Sequence, residues 1–306
     1  MEFAQLTPGE GFLPGHSLRY YSQRLVTGRR TRSSIVRLLA RTIRRRHGGA
    51  SHNELTTEQR AALAGARRDG FVPLPALFDN TQIAEVQGFL DDKRLVARRA
   101  GASNGFTIAN RPENVRIADY HLDDIVAAPH ILELANSSFL LGIAEDYIGC
   151  KPTLSALGLR WSFPSERDGM GVQAFHRDAD DWRHLKIFVY LTEVDEDAGP
   201  HVYVKRTHKD RPTVRLHEYS DAYIAGRYAP EDIVVVTGPA GFAFAANTTG
   251  VHKGTTPTRR PRLMLQIQYS LLPSYIYRYR PVQYRGPLMV DPYVNRLIVA
   301  QSTYRG

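Results

Sequence analysis

The residues best suited to chemistry are Phe175-His176-Arg177-Asp178, where an imidazole and a carboxylate stand two positions apart. In extended backbone, side chains at i and i+2 share a face. Such a pair can hold a divalent metal, and His252 is the candidate third ligand. Two histidines and one carboxylate leave the opposite coordination positions open, an arrangement suited to non-haem Fe(II) oxygenase chemistry. On spacing alone the plainer reading has the advantage. The chain has 11 histidines, and His176 with Asp178 can equally form a surface hydrogen-bonded pair while His252 caps a turn.

Arg262 shifts that balance. It opens the apolar run Leu263-Met264-Leu265-Gln266-Ile267, so its guanidinium leaves a buried strand toward an interior or its rim. A buried guanidinium needs a carboxylate or phosphate partner. In an oxygenase of this kind that partner is the distal carboxylate of 2-oxoglutarate.

These residues need a rigid frame, and the second half of the chain supplies one. Segments 153–163, 172–176, 185–191, 201–204, 233–237, 242–246 and 262–270 are short β-prone runs bounded by Gly, Pro, Asp or Asn. Their spacing predicts an antiparallel sandwich or closed roll, with the candidate ligands at strand ends and in adjoining loops. Gly238-Pro239-Ala240-Gly241 joins two of these strands and lacks the helix that a phosphate-binding loop requires. Before residue 151 the pattern is mostly helical. Helices are expected over 55–68, from Asp79 or Asn80 to about Asp92, and over 127–148 with a break near Asn136-Ser137; Phe71-Val72-Pro73-Leu74 reads as a strand.

A chain of 306 residues with 42% hydrophobic and 23% charged residues can bury a full core. Its single cysteine, Cys150, cannot form an internal disulfide, which fits a reducing compartment. With no long apolar run and no signal-like N-terminus, a cytoplasmic chain is expected. The net charge of +9 is concentrated: ten arginines and no acidic residue lie between Arg19 and Arg46, so the rest of the chain is close to neutral. Over 33–46, Ile35, Val36, Leu39 and Ile43 recur at helical spacing among arginines. A basic amphipathic helix suits an anionic membrane surface, an acidic partner or nucleic acid; the alternative is a helix docked on its own domain. The domain reading is a basic extension over 1–50 and one domain over 51–306.

From about Asp69 to Ser270 the chain resembles the phytanoyl-CoA dioxygenase family of Fe(II)/2-oxoglutarate oxygenases. The matching parts are Asp69-Gly70-Phe71-Val72, Gln173-Ala174-Phe175-His176-Arg177-Asp178, the run Leu191 to Pro200 (LTEVDEDAGP), Thr207-His208-Lys209, His252 and Arg262. The resemblance implies a mainly β fold with flanking helices, a cupin-like double-stranded β-helix or jelly roll. It implies Fe(II), 2-oxoglutarate and O2 as reactants, with His176, Asp178 and His252 as iron ligands and Arg262 as cosubstrate clamp. The implied chemistry is hydroxylation of an unactivated C–H bond.

Some positions depart from the family pattern. Gly254 stands where many members carry a hydroxyl residue, and Thr255 or Thr256 is the expected substitute. The carboxylate Asp178 argues against the halogenating branch. Lys186 is a further candidate at the cofactor, and Trp161, Arg183 and Tyr277 are candidates at the substrate; a solvated lysine and a core tryptophan are the plain alternatives. Expected substrate loops are 100–115, 178–183 and the Tyr/Arg-rich stretch 275–280. With the arginine-rich segment 19–46 at an anionic membrane, the substrate is expected to be polar or anionic. One form of it is a lipid-linked sugar such as Kdo of lipopolysaccharide, as in bacterial Kdo hydroxylases, with the protein peripheral on the inner membrane face. The alternatives are a soluble small-metabolite hydroxylase and a non-catalytic roll recruited to anionic surfaces. A nucleic-acid partner is the less favoured reading, and the oligomeric state is left open.

Overall fold

The computed structural model describes residues 2–49, 54–98, 105–166, 171–210 and 214–301. Two helices open the chain, α1 at Pro14–Leu25 and α2 at Arg29–His47. The first begins on a proline, whose fixed φ suits an opening turn. The sequence reading lacked this helix. Next come α3 at Thr57–Asp69 and α4 at Asn80–Leu90, opened by reciprocal capping boxes, Thr56 with Gln59 and Asp79 with Gln82. Helix α3 stops at Gly70, whose φ of 79° suits glycine, and an added Cβ there would meet Tyr203 and His208. Three more helices follow, α5 at Leu122–Ala127, α6 at Ile131–Ala135 and α7 at Ser138–Ile148. The break expected near Asn136 falls between α6 and α7.

The strands are β1 (Glu2–Phe3), β2 (Phe71–Leu74), β3 (Leu95–Ala97), β4 (Ile117–Tyr120), β5 (Thr153–Ser162) and β6 (His184–Tyr190). They continue as β7 (His201–Val204), β8 (Ile233–Val236), β9 (Ala243–Ala246), β10 (His252–Gly254), β11 (Arg262–Ser270), β12 (Tyr277–Arg278) and the parallel pair β13 (Val282–Tyr284) and β14 (Val299–Gln301). A seven-stranded antiparallel sheet runs β2-β9-β6-β11-β5-β4-β3, and a three-stranded sheet runs β10-β7-β8. Together they make the jelly roll, with helices on one side of the larger sheet. The expected strand over 172–176 is replaced by a 3-10 turn at Gly171–Gln173 and single-residue bridges, Phe175 with Tyr219 and His176 with His252. That segment pairs one residue at a time, so no continuous ladder forms.

The alternation of strands sorts the chemistry. Leu185, Ile187, Val189, Leu263, Leu265 and Ile267 face the helices and join the main core, with Val86, Ile143 and Leu140 from the helical layer. On the other face Phe188, Tyr190, Phe244 and Met264 meet Tyr203 and Val236 of the smaller sheet. Lys186, Arg262, Gln266 and Gln268 share the parity of this inner face. Helix α2 buries Val36, Ala40 and Ile43 in the main core. Burying a side chain such as Val36 or Ile43 contributes about 1.5–3 kcal/mol. Its apolar stripe is thus covered by the protein's own body, while Arg30, Arg37, Arg41 and Arg45 are exposed.

Candidate metal centre

His176 and His252 face each other across a backbone bridge. Each N–H donates to the other's carbonyl, at 2.9 and 3.0 Å, and the rings lie 4.3 Å apart. Their Nδ1 atoms sit 2.8 Å from the Ala174 carbonyl and 3.0 Å from the Gly250 carbonyl, so each Nδ1–H donates to main chain and Nε2 faces the site. Asp178 N donates to the Thr248 carbonyl at 2.8 Å, which folds the aspartate back toward the pair. Its two carboxylate oxygens lie 3.6 Å from His176 Nε2 and 3.6 Å from His252 Nε2. The ligand atoms of His176, Asp178 and His252 all fall within 4.8 Å of one another. Two imidazole nitrogens and one carboxylate on one side of a metal suit Fe(II) and leave the other positions for reactants.

Lys186 rises from β6 to the same carboxylate. Its ammonium lies 2.6 Å from Asp178 and 3.0 Å from Asp180, with only 8% of the side chain exposed. The solvated-lysine alternative is thereby ruled out. Burial opposes the charge on Asp178, yet Lys186 and the two imidazoles hold its carboxyl well below the usual range. Burial, then the neighbouring His176, pushes His252 down to about 3. For His176 burial works in the same direction, but the contact with Asp178 outweighs it and the net shift is upward. A neutral His252 is what a metal needs. Asp178 also clusters with Asp180 and His184. The second group offers one imidazole and two carboxylates, whereas the first offers the two imidazoles and one carboxylate that suit Fe(II), so the first is the better metal site.

Deeper on the inner face, Arg262 is 3% exposed and its Nε and Nη1 have no partner. Nη2 reaches Ser162 Oγ at 3.4 Å, and the Tyr190 hydroxyl lies beside the guanidinium. Among the described residues no carboxylate pairs with it. A buried guanidinium with two unpartnered nitrogens is the counterpart of a carboxylate ligand, so Arg262 fits the far carboxylate of 2-oxoglutarate. An added Cβ on Gly254 would come within 3.0 Å of Arg262 Nη2, so a side chain there would touch the clamp. Of the two threonines expected to compensate, Thr256 has the buried, unpaired hydroxyl. Thr255 is tied through its backbone N–H to the Pro200 carbonyl at 2.9 Å. His201, its ring 5.5 Å from that of His252, also carries an unpaired buried Nε2, and burial pushes it well down.

The other candidates separate by strand parity. Trp161 pairs in register with Leu263 on the helix-covered face, donates Nε1–H to the Tyr120 hydroxyl at 3.0 Å and stacks on Phe163. The structure therefore does not bring it to the inner cavity. Arg183 caps α7 through the Tyr147 and Ile148 carbonyls at 3.4 and 3.3 Å, a fixed role at a helix C-terminus. Tyr277 does line the inner side, in a cavity of about 50 Å³ with Met264, Gln266, Arg98 and Arg160. Part of the expected loop 100–115, residues 100–104, lies outside the described residues.

Two functional residues escaped the sequence. Gln23 Nε2 donates to the Ala179 carbonyl at 3.1 Å, and Arg32 donates to the carbonyls of Gln23 at 2.9 Å and Asp181 at 3.0 Å. Helices α1 and α2 thus brace the loop that carries Asp178. Nothing in a run of ten arginines marks Arg32 as one that donates to the metal loop.

A double-stranded β-helix with this His-x-Asp…His cluster and a buried arginine defines the class of 2-oxoglutarate-dependent oxygenases. The model of the family described as phytanoyl-CoA dioxygenase (PhyH) matches residues 66–262. The chain belongs to that family and is an Fe(II)/2-oxoglutarate-dependent dioxygenase. Its cofactors are Fe(II), 2-oxoglutarate and O2. Among curated proteins no match is found. Among solved structures, EctD from S. alaskensis with bound Fe is 19% identical, with TM-score 0.51 over 84% of this chain and 93% of that one. The same protein with 2-oxoglutarate and 5-hydroxyectoine gives 20% identity and TM-score 0.50 over 82% and 91%. HygX from Streptomyces hygroscopicus, with nickel, 2-oxoglutarate and hygromycin B, gives 18% and 0.49 over 78% and 99%. The EctD likeness shows the fold.

Proposed function

We propose that the protein hydroxylates an unactivated C–H bond of a polar or anionic substrate, with His176, Asp178 and His252 holding iron and Arg262 clamping 2-oxoglutarate. The observation that carries this reading is the convergence of the three ligand atoms, together with a buried arginine, Arg262, whose Nε and Nη1 lack partners. Iron with 2-oxoglutarate and O2 supplies the oxidising power, releasing succinate and CO2 as the substrate is hydroxylated. The chain's own part is positional. The Ala174 and Gly250 carbonyls fix the imidazoles, Arg262 orients the cosubstrate carboxylate, and the apolar inner wall around Phe188 and Phe244 excludes water. Lys186 orients Asp178, and Tyr277 faces the substrate.

Residues 1–50 are read as an extension of the oxygenase domain over 51–306. A lipid-linked sugar such as Kdo remains the narrower form of the substrate reading, supported by the outward arginines of α2. A soluble small metabolite is the second reading, supported by the apolar stripe of α2 being docked on its own body. Among the described residues no helix is long and apolar enough to cross a membrane. The test is anaerobic titration with Fe(II) and 2-oxoglutarate, followed by succinate release with Kdo-bearing lipid acceptors and with free sugar acids. Saturable binding of both is expected; absence of 2-oxoglutarate binding to iron-loaded protein would overturn the site. Stimulation by the lipid acceptors alone supports the narrower form, and stimulation by free acids alone removes it.

A further inference from the structure

Where α1 and α2 cross the metal loop they enclose a second cavity, of about 360 Å³, distinct from the inner face that holds Arg262. Its walls carry seven arginine and lysine side chains against two aspartates, Asp178 and Asp210. Two of these cations are already neutralised, Arg67 by Asp146 and Arg177 by Asp210. Arg32 and Arg183 give their N–H groups to main-chain carbonyls and keep their charge. Arg24 reaches the Val214 carbonyl with one nitrogen, while its buried Nε has no partner. Arg29 and Lys209 pair with no carboxylate among the described residues.

The opening turn of α2 adds to this. The 19-residue helix follows Gly28 with no side-chain cap and no acidic residue in its first turn, and Arg29 and Arg32 from that turn, with Ser33 just after it, line the cavity. Uncapped N–H groups and the positive end of a long helix favour an anion. This surplus of positive charge beside the helix N-terminus favours an anionic ligand.

We propose that this cavity is a binding site for a soluble ligand bearing phosphate or carboxylate groups, with its anion at the first turn of α2 between Arg24 and Arg29. Because Asp178 forms part of the wall, the ligand lies beside the metal centre without occupying the 2-oxoglutarate clamp. The arginine-rich segment then has a division of labour: Arg24 and Arg32, with Arg29 at the exposed rim, line the cavity, and Arg30 and Arg37 lie outside it in solvent.

Trp182 lines the cavity with the Arg32 guanidinium 5.0 Å from its ring centre, and Trp161 is the only other tryptophan. In a Trp161→Phe background, fluorescence of metal-free protein titrated with pyrophosphate reads this site alone. Saturable quenching is expected. Arg24→Gln/Arg29→Gln should weaken it about tenfold, as loss of charge-assisted hydrogen bonds implies, and Lys209→Gln by a smaller factor. Arg30→Gln/Arg37→Gln, which removes the same charge outside the cavity, should leave the affinity unchanged. His176→Ala should also leave it unchanged, so the outcome does not depend on the iron reading. Equal losses in the inward and outward pairs, no pyrophosphate response, or a response to phosphatidylglycerol vesicles alone would each overturn the proposal.

Discussion

The histidines and the aspartate arrive at one point by different means. His176 and His252 are held by a reciprocal backbone bridge, the ordinary bonding of a sheet, and their rings are oriented by carbonyls two residues away. Asp178 belongs to a loop whose following carbonyls, those of Ala179 and Asp181, are held by Gln23 and Arg32 from the first two helices. The histidines are therefore placed by the roll alone, while the loop of Asp178, itself tied to the Thr248 carbonyl, is braced from behind by the N-terminal layer. Backbone pairing is indifferent to side-chain identity, whereas the loop depends on particular donors from distant sequence.

The comparison can be broken or sharpened by substitution. The largest effect is expected at the roll's own ligands: His176→Ala should abolish Fe(II) binding in anaerobic calorimetry, and retained affinity would remove the site. Arg262→Gln should leave iron affinity intact and weaken 2-oxoglutarate about 10–100-fold, measured as KM for succinate release. On the other side, Arg32→Ala should lower iron affinity about 10–100-fold by loosening the loop behind Asp178, the range typical of groups that support a ligand. Deletion of residues 1–47 should do at least as much and lower the melting temperature, because Val36 and Ile43 leave the core. Wild-type iron affinity in both would show that the roll builds the whole site.

A smaller effect concerns the loop's own electrostatics. Burial pushes the Asp181 carboxyl up to about 7 from 3.8. Between those values the folded chain holds more protons than the unfolded chain, so this group's contribution to stability falls as pH rises through the window. Asp181→Asn keeps an acceptor for the Leu272 N–H and removes the buried charge. The variant should gain melting temperature over the wild type at pH 8, and gain little at pH 4.5. Equal gains at both would show that the carboxyl does not titrate in that range. The smallest effect belongs to Trp161→Phe, on the far face of the sheet: KM for 2-oxoglutarate should not change, and only the hydrogen bond to Tyr120 is lost.

Much of this was legible in the residues. Strand alternation and turn chemistry located β5, β6, β7, β9 and β11 to within a residue or two, because sheet faces impose a period that the sequence must carry. The capping residues Thr56 and Asp79 and the stop at Gly70 are local chemistry as well. The set His176, Asp178, His252 and Arg262 was legible as residue types in a family's order. The failures share one cause. Trp161 needed the register against Leu263 to show which face it takes, and the inward turn of Arg32 needed a contact with residue 181.

Composition by itself determined that the N-terminal segment is a basic amphipathic helix, since charge and apolar spacing are properties of consecutive residues. Whether its apolar stripe meets a membrane or the protein's own core was decided by the tertiary structure, because only there do Val36, Ala40 and Ile43 find the helical layer. The same holds at the metal centre. Ligand chemistry is written in side-chain types, but convergence within 4.8 Å comes from a bridge between distant segments and a loop tied down by helices from the other end of the chain.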